Sequence, residues 1–408
     1  MSQRLKIFET SQGLMWMLMI LGVLSLTILL IILVTSLIYK PPNNPDILKY
    51  FNEDFLLRAA QYNRLGMIFS VILKMLVWLL MAAAVWVIWK YFSRAGYMKI
   101  YIVAGYIILF YLILNIIILP LSFHRGYTIE HQFGLSNQTP GMWFADFAKE
   151  RSIDLIISTA AFTGLYALMV YIPKYWWLIA ASVMAIFIII GVYLYPILID
   201  PLFFRFKTLE DPVMRVEILE VTDKAGIKVK DILVADASRK TVKANAYFTG
   251  FGNTRRIVLY DNLLNNFSKE EAINVIAHEV AHWKFAHILK IIGISITGGF
   301  IGFFILGIIL SRSGQRGSIE SIFIIILLIS FITFLSTPLQ NTLSRYFERQ
   351  SDDLALEITG KYNTQIKLMK GLAEANLSNV EPHPVVRAMV YSHPPIMERI
   401  RSAEMMRE

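Results

Sequence analysis

The sequence predicts a mainly helical integral-membrane chain of seven crossings, with its polar residues gathered on one membrane face. Three observations carry this. Of the 408 residues, 56% are hydrophobic and 17% charged, whereas soluble domains hold about 25% charged residues. Seven stretches reach the length of about 20 apolar residues that a helix needs to cross the hydrocarbon core. The long polar segments follow the first, third, fifth and seventh stretches, which puts them all on the same side.

The crossings are expected at residues 13–39, 66–91, 98–121, 154–173, 175–198, 291–310 and 321–338. The first is too long, and its N-terminal flank too mixed, for a cleaved signal peptide, and no small-residue cleavage site follows it. Trp176 and Trp177 read as part of an interfacial aromatic belt. Residues 1–198 thus hold five crossings with polar loops 40–65 and 122–153. Residues 199–290 form a polar unit, 291–338 the last two crossings, and 339–408 a C-terminal helical part of the same polar domain. The opposite face keeps only the N-terminal tail and tight turns around Arg94, Lys174 and Arg312. Lys and Arg predominate in the long segments and favour the cytosol for that face, although Lys90, Lys99 and Arg316 join the opposite turns.

There is no cysteine, so thiol chemistry is excluded and any metal site must use His and carboxylate ligands. The net charge of +9 belongs with anionic lipid headgroups, because no basic patch with interleaved aromatics points to nucleic acid.

The polar unit carries His278-Glu279-Val280-Ala281-His282. On a helix, residues four apart lie about 5–6 Å from each other between Cβ atoms. Two imidazoles so placed can reach one zinc at about 2.0–2.1 Å, with Glu279 beside them to take a proton from water. The segment opens with Ser268-Lys269-Glu270-Glu271, a capping-box pattern with Ser at the N-cap and Glu at N3. With no Pro or Gly before Gly293, the helix is expected to run straight into the sixth crossing. A chance match to the motif has odds of about one in two hundred in this chain, which favours a metal site. His287 reads as a polar residue at the membrane interface rather than a ligand.

The third ligand must be His, Asp or Glu from elsewhere. After the seventh crossing, Arg345, Glu348 and Asp352 fall at i, i+3 and i+7 on one helix face. Topology brings that helix to the side of His278 and His282. Glu348 is therefore the expected third ligand. Asp352, one turn on, is placed to accept the free ring N–H of a ligating His, with Arg345 on the same face behind the ligands.

Taken together these segments resemble the type 1 CAAX prenyl proteases, the a-factor-converting enzymes. The resemblance covers essentially the whole chain. It includes H-E-V-A-H before the sixth crossing and Glu348-Arg349-Gln350-Ser351-Asp352 after the seventh. It also includes the loop from Glu130 to Thr139, the segment from Ala244 to Gly250, and Ser392-His393-Pro394-Pro395 with Glu398-Arg399-Ile400. It implies a seven-helix barrel around a water-filled intramembrane chamber, capped by a zincin-like peptidase domain with a small β-sheet. It further implies one Zn2+ on His278, His282 and Glu348, with Glu279 as base. The implied reaction removes the last three residues after a prenylated cysteine, on the cytosolic face of the endoplasmic reticulum in a eukaryote or of the cytoplasmic membrane in a bacterium.

Short strands are expected at 231–237, 244–252 and 255–261, with Gly252-Asn253 turning between the last two. Asn245, Ala246 and Tyr247 would then hold an extended substrate by strand addition. His393 and Arg399 lie in a tail tethered near the site and can stabilise an oxyanion. Two rival readings are a quality-control zinc protease acting on unprenylated substrates and a transporter with a structural metal. Few ionisable residues in the crossings count against the transporter.

Overall fold

The computed structural model describes all residues except 1, 41–43, 93–96, 251–254 and 314–316. The expected turns at Arg94, Arg316 and Gly252-Asn253 lie outside the described residues. Among the described residues, seven helices are long and apolar enough to cross a membrane. They are α1 (Ser2–Ile38), α2 (Glu53–Phe92), α3 (Ile100–Phe123), α4 (Pro140–Tyr171), α5 (Trp176–Leu194), α8 (His287–Ser313) and α9 (Ile319–Thr359). Between α5 and α8 lie α6 (Pro212–Lys224) and α7 (Lys269–Lys284). After α9 come α10 (Tyr362–Asn376), α11 (Pro384–Val390) and α12 (Ile396–Arg407).

Several crossings are longer than expected. Helix α2 has 40 residues and α9 has 41, so each runs about 60 Å, twice the hydrocarbon thickness. Their outer halves leave the bilayer and become walls of the polar domain. Pro338 falls inside α9 rather than ending it. One continuous helix therefore joins the seventh crossing to Glu348 and Asp352.

The membrane helices close on themselves. Each of α1, α2, α3, α4, α5 and α8 packs against the next, and α8 returns to α1. Helix α9 packs against α1, α2, α4 and α8. All residues from Ile319 to Ile325 are buried, which a helix achieves only when surrounded on every side. Its first turns thus fill one end of the barrel. Toward the other end a cavity of about 350 Å³ is lined by Tyr62, Gly66, Ser70, Lys74, Arg125 and Phe334.

The polar domain has a four-stranded sheet ordered β1-β2-β4-β3. Its strands are β1 (Phe206–Thr208), β2 (Asp231–Ala235), β3 (Ala246–Thr249) and β4 (Arg256–Tyr260). β2 and β4 run parallel, and β1 and β3 are antiparallel to their neighbours. β1 has three residues and no alternating pattern, which hides it from periodicity. Ile257 and Leu259 of β4 pack with Ile276, Ala277 and Val280 of α7 in one core cluster. That contact lays the sheet against the motif helix.

Candidate metal centre

Helix α7 starts as its sequence dictates. Ser268 Oγ accepts from the Glu271 amide and the Glu271 carboxylate accepts from the Ser268 amide, a reciprocal capping box. Its buried face carries Ala272, Ile273, Ile276, Ala277, Val280 and Ala281. The helix does not continue into the next crossing. It ends at Lys284, and Ala286 adopts φ of 54° before α8 begins at His287. A non-glycine residue in the left-handed region carries no sequence signal.

Helix α9 lies along α7 and brings the third donor. His278, His282 and Glu348 each offer one atom, and the three atoms lie within 4.8 Å of one another. The Nε2 atoms of His278 and His282 are 3.1 Å apart. Glu348 Oε2 lies 3.2 Å from His278 Nε2, and Oε1 lies 3.4 Å from His282 Nε2. A tetrahedral zinc with bonds of about 2.0–2.1 Å holds its donors about 3.3 Å apart. Glu348 Oε2 is buried and makes no hydrogen bond. A lone-pair cluster with an orphaned carboxylate oxygen fits a cation, so the residues present suit the metal.

The donors are held from behind. His278 Nδ1 lies 2.9 Å from Asp352 Oδ1, which takes the ring proton there and leaves Nε2 as a lone pair. Asp352 in turn receives Arg399 Nε at 2.8 Å and Nη2 at 2.5 Å. Burial opposes a charge on His278, but Asp352 and Glu348 outweigh it and push its pKa up to about 10. Without metal, a proton occupies the cation's place. Burial, together with the His278 charge, lowers His282 to about 3.

Glu279 sits on the adjacent face of α7 and lines a cavity of about 350 Å³ with His278, Asn245, Ala246, His393 and Arg399. Burial raises its pKa to about 7, against the lowering influence of His278 and a hydrogen bond from the Phe248 amide. Asn245 O pairs with the Tyr260 amide. By strand alternation Tyr247 and Thr249 also face β4, so the N–H and C=O of Ala246 point to the free edge. The Tyr247 side chain turns the other way and its hydroxyl donates to Asp200 Oδ2 at 2.9 Å.

His393 Nε2 lies 3.3 Å from Glu348 Oε1 and its ring is exposed to the cavity. Arg399 is committed through Nε and Nη2 to Asp352, leaving only Nη1 for the cavity. Arg345 does not reach the donors. It binds the carbonyls of Arg387 and Tyr391 at 3.1 and 2.7 Å, bracing the segment that leads to His393. His287 departs most from expectation: it is buried, with Nδ1 3.0 Å from His282 Nδ1. The helix break at Ala286 turns it back onto the site. Glu130, in the loop after α3, binds Tyr62, Arg125 and Lys243, and Leu135 O accepts from the Val242 amide. That loop fixes the approach to β3.

Comparison with known proteins agrees with this architecture. Residues 208–407 match peptidase family M48, and residues 51–205 match the CAAX prenyl protease N-terminal domain of five membrane helices. An uncharacterized metalloprotease YhfN from Bacillus subtilis is 31% identical over 74% of this chain and 72% of its own. A CAAX prenyl protease 1 homolog from Arabidopsis thaliana is 31% identical over 70% of this chain and 69% of its own. CAAX prenyl protease 1 of Saccharomyces cerevisiae is 29% identical over 71% of this chain and 69% of its own. The crystal structure of S. mikatae Ste24p superposes with a TM-score of 0.78, covering 98% of both chains at 21% identity. The chain belongs to peptidase family M48 and is a multi-pass membrane zinc metalloendopeptidase with the N-terminal membrane domain of the CAAX prenyl proteases.

Proposed function

We propose that this endopeptidase removes the C-terminal tripeptide after a prenylated cysteine. The observation that carries the reading is the run of cavities from the metal donors toward the barrel interior. The cavity at Glu279 adjoins one between α1, α2 and α11, and that one adjoins the intramembrane cavity at Lys74. A lipid-anchored C-terminus can pass from bilayer to site along such a route. The similarity to CAAX prenyl proteases over both the membrane and peptidase domains supports the same substrate class.

His278, His282 and Glu348 would hold the zinc, which supplies Lewis acidity and lowers the pKa of water to about 7. The free edge of β3 at Ala246 holds the peptide extended beside Glu279. Glu279 accepts the proton of the attacking water and delivers it to the leaving amine. His393 faces the cavity and donates to the developing oxyanion. Arg399 secures Asp352 and lends its charge from behind. Tyr247 positions β3 through Asp200 rather than touching the peptide.

The experiment is a comparison of hydrolysis rates for one peptide with and without a farnesyl group on its cysteine. The expected result is faster tripeptide release from the farnesylated form. Equal rates on both would favour an unprenylated substrate, a reading that the similarity to a Bacillus metalloprotease of no stated substrate also admits. We place the peptidase domain on the cytosolic face, and protease protection of the C-terminus in sealed vesicles of known orientation checks it.

A further inference from the structure

Next to the metal cavity lies a second one of about 320 Å³, between α1, α2 and the segment joining α10 to α11. The two share Asn376, Ser378, Asn379 and Tyr391 as a common wall. Arg64 lines it, and its Nε makes no hydrogen bond. The nearby cations are satisfied: Arg399 by Asp352, and Arg125 and Lys243 by Glu130. Among the described residues no carboxylate lies within ion-pair distance of Arg64. The half-buried Arg64 guanidinium has no anion beside it, and its planar fork matches a carboxylate.

The sheet edge gives the direction. β3 runs from Ala246 to Thr249. A strand added antiparallel to it leads its C-terminal end past Ala246 and Ala244, which line the metal cavity, toward the shared wall. Three extended residues beyond a scissile bond span about 10 Å. We propose that the Arg64 cavity is the subsite for the C-terminal carboxylate of the peptide and of the released tripeptide. This rests on the tripeptide-release reading.

The test is equilibrium binding of an aliphatic tripeptide, as free acid and as carboxamide, to the zinc-loaded full chain, which needs no turnover. The acid should bind about 10- to 100-fold more tightly than the amide. Arg64→Gln should reduce that preference to within about threefold with zinc content unchanged, and Arg64→Lys, which keeps charge without the fork, should fall between. Equal binding of acid and amide, no binding of the acid at millimolar concentration, or a preference that survives Arg64→Gln overturns the subsite. An Arg64-dependent preference in a protein that releases no tripeptide would keep the anion site and discard the reaction. Tripeptide release without a preference would do the reverse.

A separate observation concerns His282. Gln350 Nε2 donates to Tyr346 Oη at 3.1 Å, so its Oε1 faces His287 Nε2 at 3.2 Å. His287 Nε2 therefore carries the proton and its Nδ1 accepts from His282 Nδ1 at 3.0 Å. His282 Nε2 is left as a lone pair toward Glu348. The His287 ring is locked by stacking on Phe347, with centroids 4.3 Å apart and planes at 16°. The geometry points to His287 as the positioning residue that fixes the tautomer of His282. His287→Ala should weaken zinc binding about 10- to 100-fold in chelator competition. It should also shift the visible spectrum of the cobalt-substituted protein, a change that loss of packing away from the metal would not produce. Zinc affinity within twofold of wild type, or an unshifted cobalt spectrum, overturns it.

Discussion

His278 is poised as a ligand because Asp352 accepts its Nδ1 proton, and Asp352 stays ionised because Arg399 binds both its oxygens. Removing one member of a buried charge pair costs about 3–5 kcal/mol. Arg399→Met should therefore destabilise the fold by that order, and thermal unfolding checks it. Glu348→Ala should lower zinc stoichiometry in metal analysis, since it deletes one of three donors. Glu279→Gln should keep zinc and lose hydrolysis.

Glu279 also gives a pH prediction for chelator-treated, metal-free protein. Its folded pKa of about 7 lies above the ordinary 4.5, so the folded state holds the proton more tightly. That stabilising contribution is full below 4.5 and is lost as pH rises through about 7. Metal-free Glu279→Gln should gain stability over metal-free wild type across that window. A gap that does not change with pH would contradict the burial of Glu279. These residues were largely legible in the sequence: the H-E-x-x-H spacing and the shared face of Glu348 and Asp352 required only helical geometry. Arg345 was not, because an i, i+3 relation places a side chain on a face but does not say which carbonyls it meets.

At the scale of elements, the break between α7 and α8 matters most. Sequence patterning carried α7 onward through Phe285 and Ala286, since neither residue stops a helix. The left-handed Ala286 is imposed by tertiary packing, and it folds His287 under His282. Ala286→Gly should be tolerated within about 1 kcal/mol, because relief of strain offsets added chain entropy. Ala286→Val should cost about 2 kcal/mol and weaken zinc binding as well. The edge position of β3 came with the family resemblance and not from its flanking strands, because in sequence β3 lies between β2 and β4 while in the sheet β4 separates them. The outward turn of Tyr247 onto Asp200 was not readable either, because alternation leaves open which face meets α7.

At the scale of the molecule, composition alone placed the chain in a membrane, and odd-numbered crossings gathered the polar segments into one domain. The closure of six helices with α9 filling one end was not visible in any single segment. It depends on contacts between residues hundreds of positions apart. One consequence is coupling of metal to fold: His278 of α7, Glu348 and Asp352 of α9 and Arg399 of α12 tie three helices together around the metal site. Chelation should lower the unfolding temperature, with about 4 kcal/mol at stake when free zinc stands at 1,000 times its Kd.

Mass spectrometry of the products from a farnesylated C-a-a-X peptide, with detergent-purified protein and a Glu279→Gln control, tests the central claim most directly. Release of the C-terminal tripeptide by wild type, and none by the zinc-loaded variant, is the predicted result. An intact farnesylated peptide alongside zinc-dependent cleavage of unmodified peptides would contradict the prenyl-protease assignment.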